Sequence, residues 1–234
     1  MSDKPVCVVV GVGPGNGAAF ARRFASAGYA VALLARSGEL IDDLAASLAD
    51  ARAYRGDVTD AASVERAFAA IRTDLGEVDV LVYNAGAGVW GHVEEVSADD
   101  FERAWRINTL GALLSAQQVI PSMKGSGRGN IVFVGATASL RGGANFAAFA
   151  SAKAAQRSLA QSMARHLWPL GIHVALLIID GVVDVPRTRQ MMPDKPDAFF
   201  LQPDDIAASV WHTTEQKPSA WSFEVEVRPF GERW

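Results

Sequence analysis

Cysteine is almost missing from this chain: Cys7 is the single one in 234 residues, so no disulfide can close within it. It lies inside the apolar run Val6-Cys7-Val8-Val9-Val10, where a thiol packs as a small hydrophobe, and such usage points to a reducing, cytoplasmic setting. Long apolar runs are missing too. No stretch approaches the ~20 residues that cross a bilayer, and the start Met1-Ser2-Asp3-Lys4-Pro5 lacks the form of a signal peptide, so no membrane partner is expected. Positive charge is in deficit: 22 Lys and Arg stand against 26 Asp and Glu, for a net charge of -4. The basic residues are scattered, with no stripe to neutralise a phosphate backbone, which argues against nucleic acid as a partner. No internal repeat is visible, and no metal site is expected.

Half of the residues are hydrophobic, enough for one sizeable core, and residues 1–234 read as a single domain. Short apolar runs alternate with longer amphipathic or alanine-rich stretches. That pattern predicts an α/β fold, a doubly wound parallel sheet of about seven strands with helices on both faces. The strands are expected at Val6–Val10, Ala30–Ala35, Ala51–Tyr54, Val78–Tyr83, Asn130–Gly135, His173–Ile179 and Phe223–Val227. A helix should start at Ser97-Ala98-Asp99-Asp100, a capping-box-like sequence, and another should stop before Pro169, with Gly171 releasing the chain into the next strand. From Asp184 to Pro203 the chain holds Pro186, Pro193, Pro196 and Pro203 together with Met191, Met192, Phe199 and Phe200. This segment is expected to resist regular structure and to act as a mobile lid over an apolar substrate, or else to pack locally.

Directly after the first strand comes Gly11-Val12-Gly13-Pro14-Gly15-Asn16-Gly17, followed by a helical pattern. Glycines in that place allow a tight turn and a close backbone approach to a pyrophosphate, whose charge then faces the free N–H groups of the helix. About twenty residues further on, a carboxylate would accept hydrogen bonds from the ribose of NAD. The second strand instead ends in Leu34-Ala35-Arg36-Ser37. An arginine there can fork onto a ribose 2′-phosphate, so the expected cofactor is NADP, with NAD second.

Three further segments join the glycine loop: Asn84-Ala85-Gly86, Asn108 in Arg106-Ile107-Asn108-Thr109, and Phe149-Ala150-Ser151-Ala152-Lys153. Together they resemble the short-chain dehydrogenase/reductase family over nearly the whole chain. The resemblance implies a Rossmann-like fold, oxidoreductase activity with a nicotinamide cofactor, and homodimers or homotetramers built on helices around Ser97–Ile120 and Ala147–Pro169. It also implies that Asp57 lies near the adenine, that Asn84, Ala85 and Gly86 line the cofactor, that Lys153 grips its ribose, and that Asn108 organises a water in a proton relay. Gly11, Gly13, Gly15, Asn16, Gly17, Arg36, Val58, Gly181 and Val183 complete the expected cofactor-binding set.

The departures from the family pattern concern the chemistry. A tyrosine is usual four residues before the lysine, where the cation lowers the phenol pKa and the phenol exchanges a proton with the substrate. Phe149 stands there. A serine is usual thirteen residues earlier, and that position is Ala136. Tyr83, Asn16 and Asp180-Gly181 also depart from the pattern. Lys153 and Asn108 remain, and a water they hold, or the hydroxyl of Ser139, is the candidate substitute proton donor; a serine after a strand more often satisfies loop backbone. Tyr83 and His92 are titratable neighbours that read as structural. Two functions follow: an NADP-dependent oxidoreductase acting on a small or apolar carbonyl or alcohol with an altered proton donor, or a catalytically impaired NADP(H)-binding protein with a sensing or regulatory role.

Overall fold

A computed structural model describes residues 4–231. Met1-Ser2-Asp3, on which part of the leader reading rests, and the last three residues of the expected 1–234 domain lie outside the described residues.

The strands are β1 (Val6–Val10), β2 (Ala30–Ala35), β3 (Ala51–Arg55), β4 (Val78–Tyr83), β5 (Gly129–Ala136) and β6 (Ile172–Ile179), followed by two short ones, β7 (Val182–Val183) and β8 (Phe200–Leu201), and then β9 (Glu224–Val227). Seven of them form one parallel sheet in the order β3-β2-β1-β4-β5-β6-β9. All seven expected strands are present, with ends shifted by a residue or so. Side-chain alternation explains why β1 is apolar throughout. Val6, Val8 and Val10 join the core beneath α3 (Ala61–Asp74), α5 (Gly111–Ser126) and α6 (Ala147–Leu167), while Cys7 and Val9 face α1 (Asn16–Ser26), α2 (Glu39–Ser47) and α8 (Pro203–Thr214). The chain reverses its direction of winding between β1 and β4, which opens a crevice at the carboxyl ends of the strands.

Ser97 caps α4 (Ala98–Trp105), its hydroxyl accepting from the N–H of Asp100 at 3.1 Å. One turn of π-helix, Arg106–Leu110, joins α4 to α5. The helix expected to end at Ile120 runs on to Ser126 through Pro121. Pro121 and Gln117 are both exposed, so the carbonyl that loses its donor faces water. No helix among the described residues is long and apolar enough to cross a membrane.

The segment from Asp184 to Pro203 corrects the expectation of irregular chain. It contains α7 (Pro186–Met191) and β8, which pairs with β7. Pro186 and Pro203 sit at helix starts, where a missing N–H costs nothing. Arg189 holds the segment together: it forks onto the carboxylate of Asp184 at 2.6 and 2.7 Å, reaches Asp197 at 2.7 Å and covers the Phe200 ring at 4.1 Å. Phe200 is therefore local core.

Candidate functional site

The crevice is a cavity of about 410 Å³ built from the turns that follow four adjacent strands. After β1 come Gly11, Val12, Gly13, Gly15, Asn16 and Gly17; after β2, Arg36 and Ser37; after β3, Gly56, Asp57 and Val58; after β4, Asn84, Ala85 and Gly86. Val183 and Val185, between β6 and α7, also line it. Gly181 and Lys153, also expected here, are not among the residues that line it.

Two glycines of the loop are forced by space. Gly11 has φ +87°, and a Cβ on it would stand 2.4 Å from the backbone of Ala85; a Cβ on Gly17 would stand 2.7 Å from Cα of Val12. Gly13 faces open space, leaving its backbone accessible to a ligand. Asn84 ties the β1 and β4 turns together by donating from Nδ2 to the Gly11 carbonyl at 2.7 Å. The Oδ1 of Asn16 is buried without a partner in a wall of the same cavity. Arg36 is exposed and makes no hydrogen bond or ion pair with another described residue. Asp57 accepts from the N–H and hydroxyl of Thr59 at 2.9 and 2.8 Å, and these bonds, with the nearby Arg36 cation, hold its carboxyl below the usual range. Backbone glycines, an exposed arginine and an orphaned amide fit a dinucleotide.

Beyond Gly86 lies a second, drier group. A Cβ on Gly86 would stand 3.2 Å from Oδ1 of Asn108 and 3.8 Å from Nζ of Lys153, so both side chains converge on that glycine. Asn108 is fully buried; its Nδ2 donates to the carbonyls of Ala104 and Ala87 at 2.8 and 3.2 Å, and its Oδ1 has no partner. Lys153 donates to the carbonyl of Val134 at 2.7 Å and to Oε1 of Gln156 at 3.1 Å, and burial pushes its ammonium down to about 7. Gln156 in turn donates to the carbonyl of Asn108 at 2.9 Å. Sequence reading missed this bridge, although Gln156 lies one helical turn beyond Lys153 on the same face.

The positions that lack hydroxyls are filled in. Phe149 packs edge-on against Trp90, with ring centroids 5.1 Å apart, and Ala136 ends β5 partly buried. Ser139, the candidate substitute donor, is buried, and its Oγ accepts from the N–H of Ala136 at 3.1 Å, a loop-backbone role. His92 is exposed. Tyr83 is fully buried, and burial raises its phenol far above the usual value. Its hydroxyl donates to the Ile107 carbonyl in the π-turn, in room left by Gly111, where a Cβ would stand 2.4 Å from that oxygen. Tyr83→Phe should therefore destabilise the protein by about 1–3 kcal/mol in urea unfolding, because the Ile107 carbonyl loses its partner; an unchanged midpoint would show that the π-turn does not depend on the phenol.

Comparison with known proteins agrees with this geometry. The family model for short chain dehydrogenases matches residues 5–196. The D-threitol dehydrogenase of Mycolicibacterium smegmatis is 31% identical over 219 residues, covering 88% of this chain and 84% of that one. The solved short-chain dehydrogenase from Rhodopseudomonas palustris is 35% identical, with a TM-score of 0.84 over 98% of this chain and 100% of that one. An alcohol dehydrogenase from the archaeon Thermococcus sibiricus, solved with 5-hydroxy-NADP, is 28% identical with a TM-score of 0.88 over 99% of each chain. With the glycine loop, the crevice at the β1/β4 reversal and the buried Asn108–Lys153 pair in their places, this chain belongs to the short-chain dehydrogenase/reductase family of oxidoreductases.

Proposed function

We propose that this protein is an NADP(H)-dependent oxidoreductase that moves hydride to and from a small or apolar substrate without drawing its proton from a phenol on α6. The observation that carries this reading is a complete dinucleotide crevice, Gly11 to Gly17 with Arg36 and Asn84 to Gly86, beside a retained Lys153 and Asn108. When bound, the nicotinamide supplies or accepts the hydride; all other work falls to the chain. The loop glycines would offer backbone N–H groups to the pyrophosphate, Arg36 would hold the ribose 2′-phosphate, and Asp57 and Val58 would border the adenine side. Lys153 and Asn108, converging on Gly86, are the groups left to bind a water and pass a proton where a substrate needs one.

Binding of NADPH and NADH to the native chain and to Arg36→Ala tests the cofactor assignment. Arg36→Ala should weaken NADPH by about 10-fold to 100-fold, the worth of a charged hydrogen-bonded contact, and leave NADH nearly unchanged. Equal losses for both would refute it. A second reading, a dinucleotide-binding protein without turnover, is favoured by one observation: Lys153 is already engaged by Val134 and Gln156. We also propose a cytoplasmic homo-oligomer.

A further inference from the structure

Where the loop after β4 meets the start of α6, one helical turn before Lys153, stands a cluster of three aromatic rings. Trp90 meets Phe146 at 5.0 Å and Phe149 at 5.1 Å between centroids, both edge-to-face. The cluster is fixed to the backbone. Gly91 donates to the carbonyl of Asn145 at 2.9 Å and forms a β-bridge with Phe146, joining the loop after β4 to the start of α6. Trp90 nevertheless remains 50% exposed and Phe146 39%, so aromatic surface stays open to a ligand.

Three other rings among the described residues are covered by the protein's own cations: Arg23 lies over Trp211, Arg189 over Phe200 and Lys195 over Phe199. No such cation covers Trp90, Phe146 or Phe149. Glu94 and Glu95 follow Trp90 on an exposed loop. Two carboxylates thus follow Trp90 closely in sequence, which favours a positive guest.

The missing hydroxyls point the same way. A neutral ketone that accepts hydride becomes an alkoxide, which needs a donor hydrogen bond and then a proton. Ala136 and Phe149 offer neither. A planar iminium ion needs neither: the hydride pair forms the new C–H bond, the C=N π pair becomes the nitrogen lone pair, and a cation plus NADPH gives a neutral amine plus NADP⁺.

We propose that the substrate is a planar, apolar C=N⁺ cation, seated against Trp90 with Phe146 and Phe149, and that the aromatic cluster replaces the hydroxyl pair as the group that recognises the reacting function. This rests on the hydride-transfer reading above and deepens it. Burial pushes the Lys153 ammonium down from its ordinary value, so a cationic guest beside it meets a lysine that gives up its proton more easily than a free one.

The test uses the full chain and two bicyclic probes of the same shape, an N-methyl dihydroisoquinolinium salt and the neutral ketone α-tetralone. Binding is read by isothermal titration calorimetry, and NADPH consumption is read separately against the uncatalysed rate. The cation should bind at least about 10-fold more tightly than the ketone, and Trp90→Leu should weaken it by about 2-fold to 30-fold. Trp90→Phe, which keeps a ring, should restore most of the affinity and controls for misfolding. NADPH should be consumed with the cation and not with the ketone. Equal binding of the two probes, indifference to Trp90→Leu, or consumption with the ketone at the cation's rate would overturn the proposal. Failure to bind NADPH would instead sink the cofactor reading, and probe binding would still decide whether the cluster selects a cation.

Discussion

NADPH-dependent reduction of a neutral ketone should rise by about 10²-fold to 10⁴-fold when Ala136→Ser and Phe149→Tyr are made together, the usual worth of a positioned acid. Position 149 lies one helical turn before Lys153 on α6, and residue 136 closes β5 two residues beyond the carbonyl that Lys153 engages. A phenol at 149 would meet the one buried ammonium in reach, and a hydroxyl at 136 would add a donor for the developing oxyanion. Phe149 contacts Trp90, so the double variant also has to keep that edge contact, which tyrosine allows. The two single variants should each give far less than the pair, since proton donor and oxyanion donor act on one transition state. An unchanged rate in the double variant would mean that the pocket does not present a carbonyl to residue 149 at all.

The second large effect concerns Lys153 and pH. Its ammonium is pushed from an ordinary 10.5 to about 7 by burial, so between those values the unfolded chain binds more protons than the folded one. Stability of the native chain must then rise as pH is raised through that window, with the full gain present above the unfolded value and none below the folded one. Lys153→Met removes the titration. The difference in unfolding free energy between native chain and variant should change by about 1.5 kcal/mol between about pH 7 and about pH 8.5, in favour of the native chain at the higher pH. Urea unfolding of both proteins at the two pH values checks this, and burial of the Cys7 thiol, common to both, cancels in the difference. Parallel behaviour of the two proteins would show that Lys153 remains charged inside the fold.

Legibility differed sharply between backbone-encoded and contact-encoded features. The strands were readable because β1 is buried on both faces and apolar throughout, while β4 and β6 are broken only by Asp79 and His173 near their starts. Gly11 and Gly17 were readable because a tight strand-to-helix turn leaves no room for a side chain. Prolines misled: Pro186 and Pro203 begin helices, whereas their density suggested irregular chain. The Gln156 bridge between Lys153 and Asn108 depends on how α6 lies against the π-turn, and no local pattern carries that. Trp90 and Phe146 are brought together by a single bridge between two loops, at a sequence separation too large for periodicity to register. Ser139 reads in the sequence either as a replacement acid or as a partner of loop backbone; in the fold its Oγ accepts from the N–H of Ala136 at the end of β5.

Transfer of label from NADPH deuterated at both C4 positions bears most directly on whether the native chain moves hydride without its phenol. Products from a panel of ketones, aldehydes, quinones and iminium cations would be examined by mass spectrometry after incubation with the native chain and with the Ala136→Ser, Phe149→Tyr variant. The account predicts deuterium at the former acceptor carbon of at least one product made by the native chain. Label appearing only with the double variant would contradict it and leave a protein that holds the dinucleotide without using it.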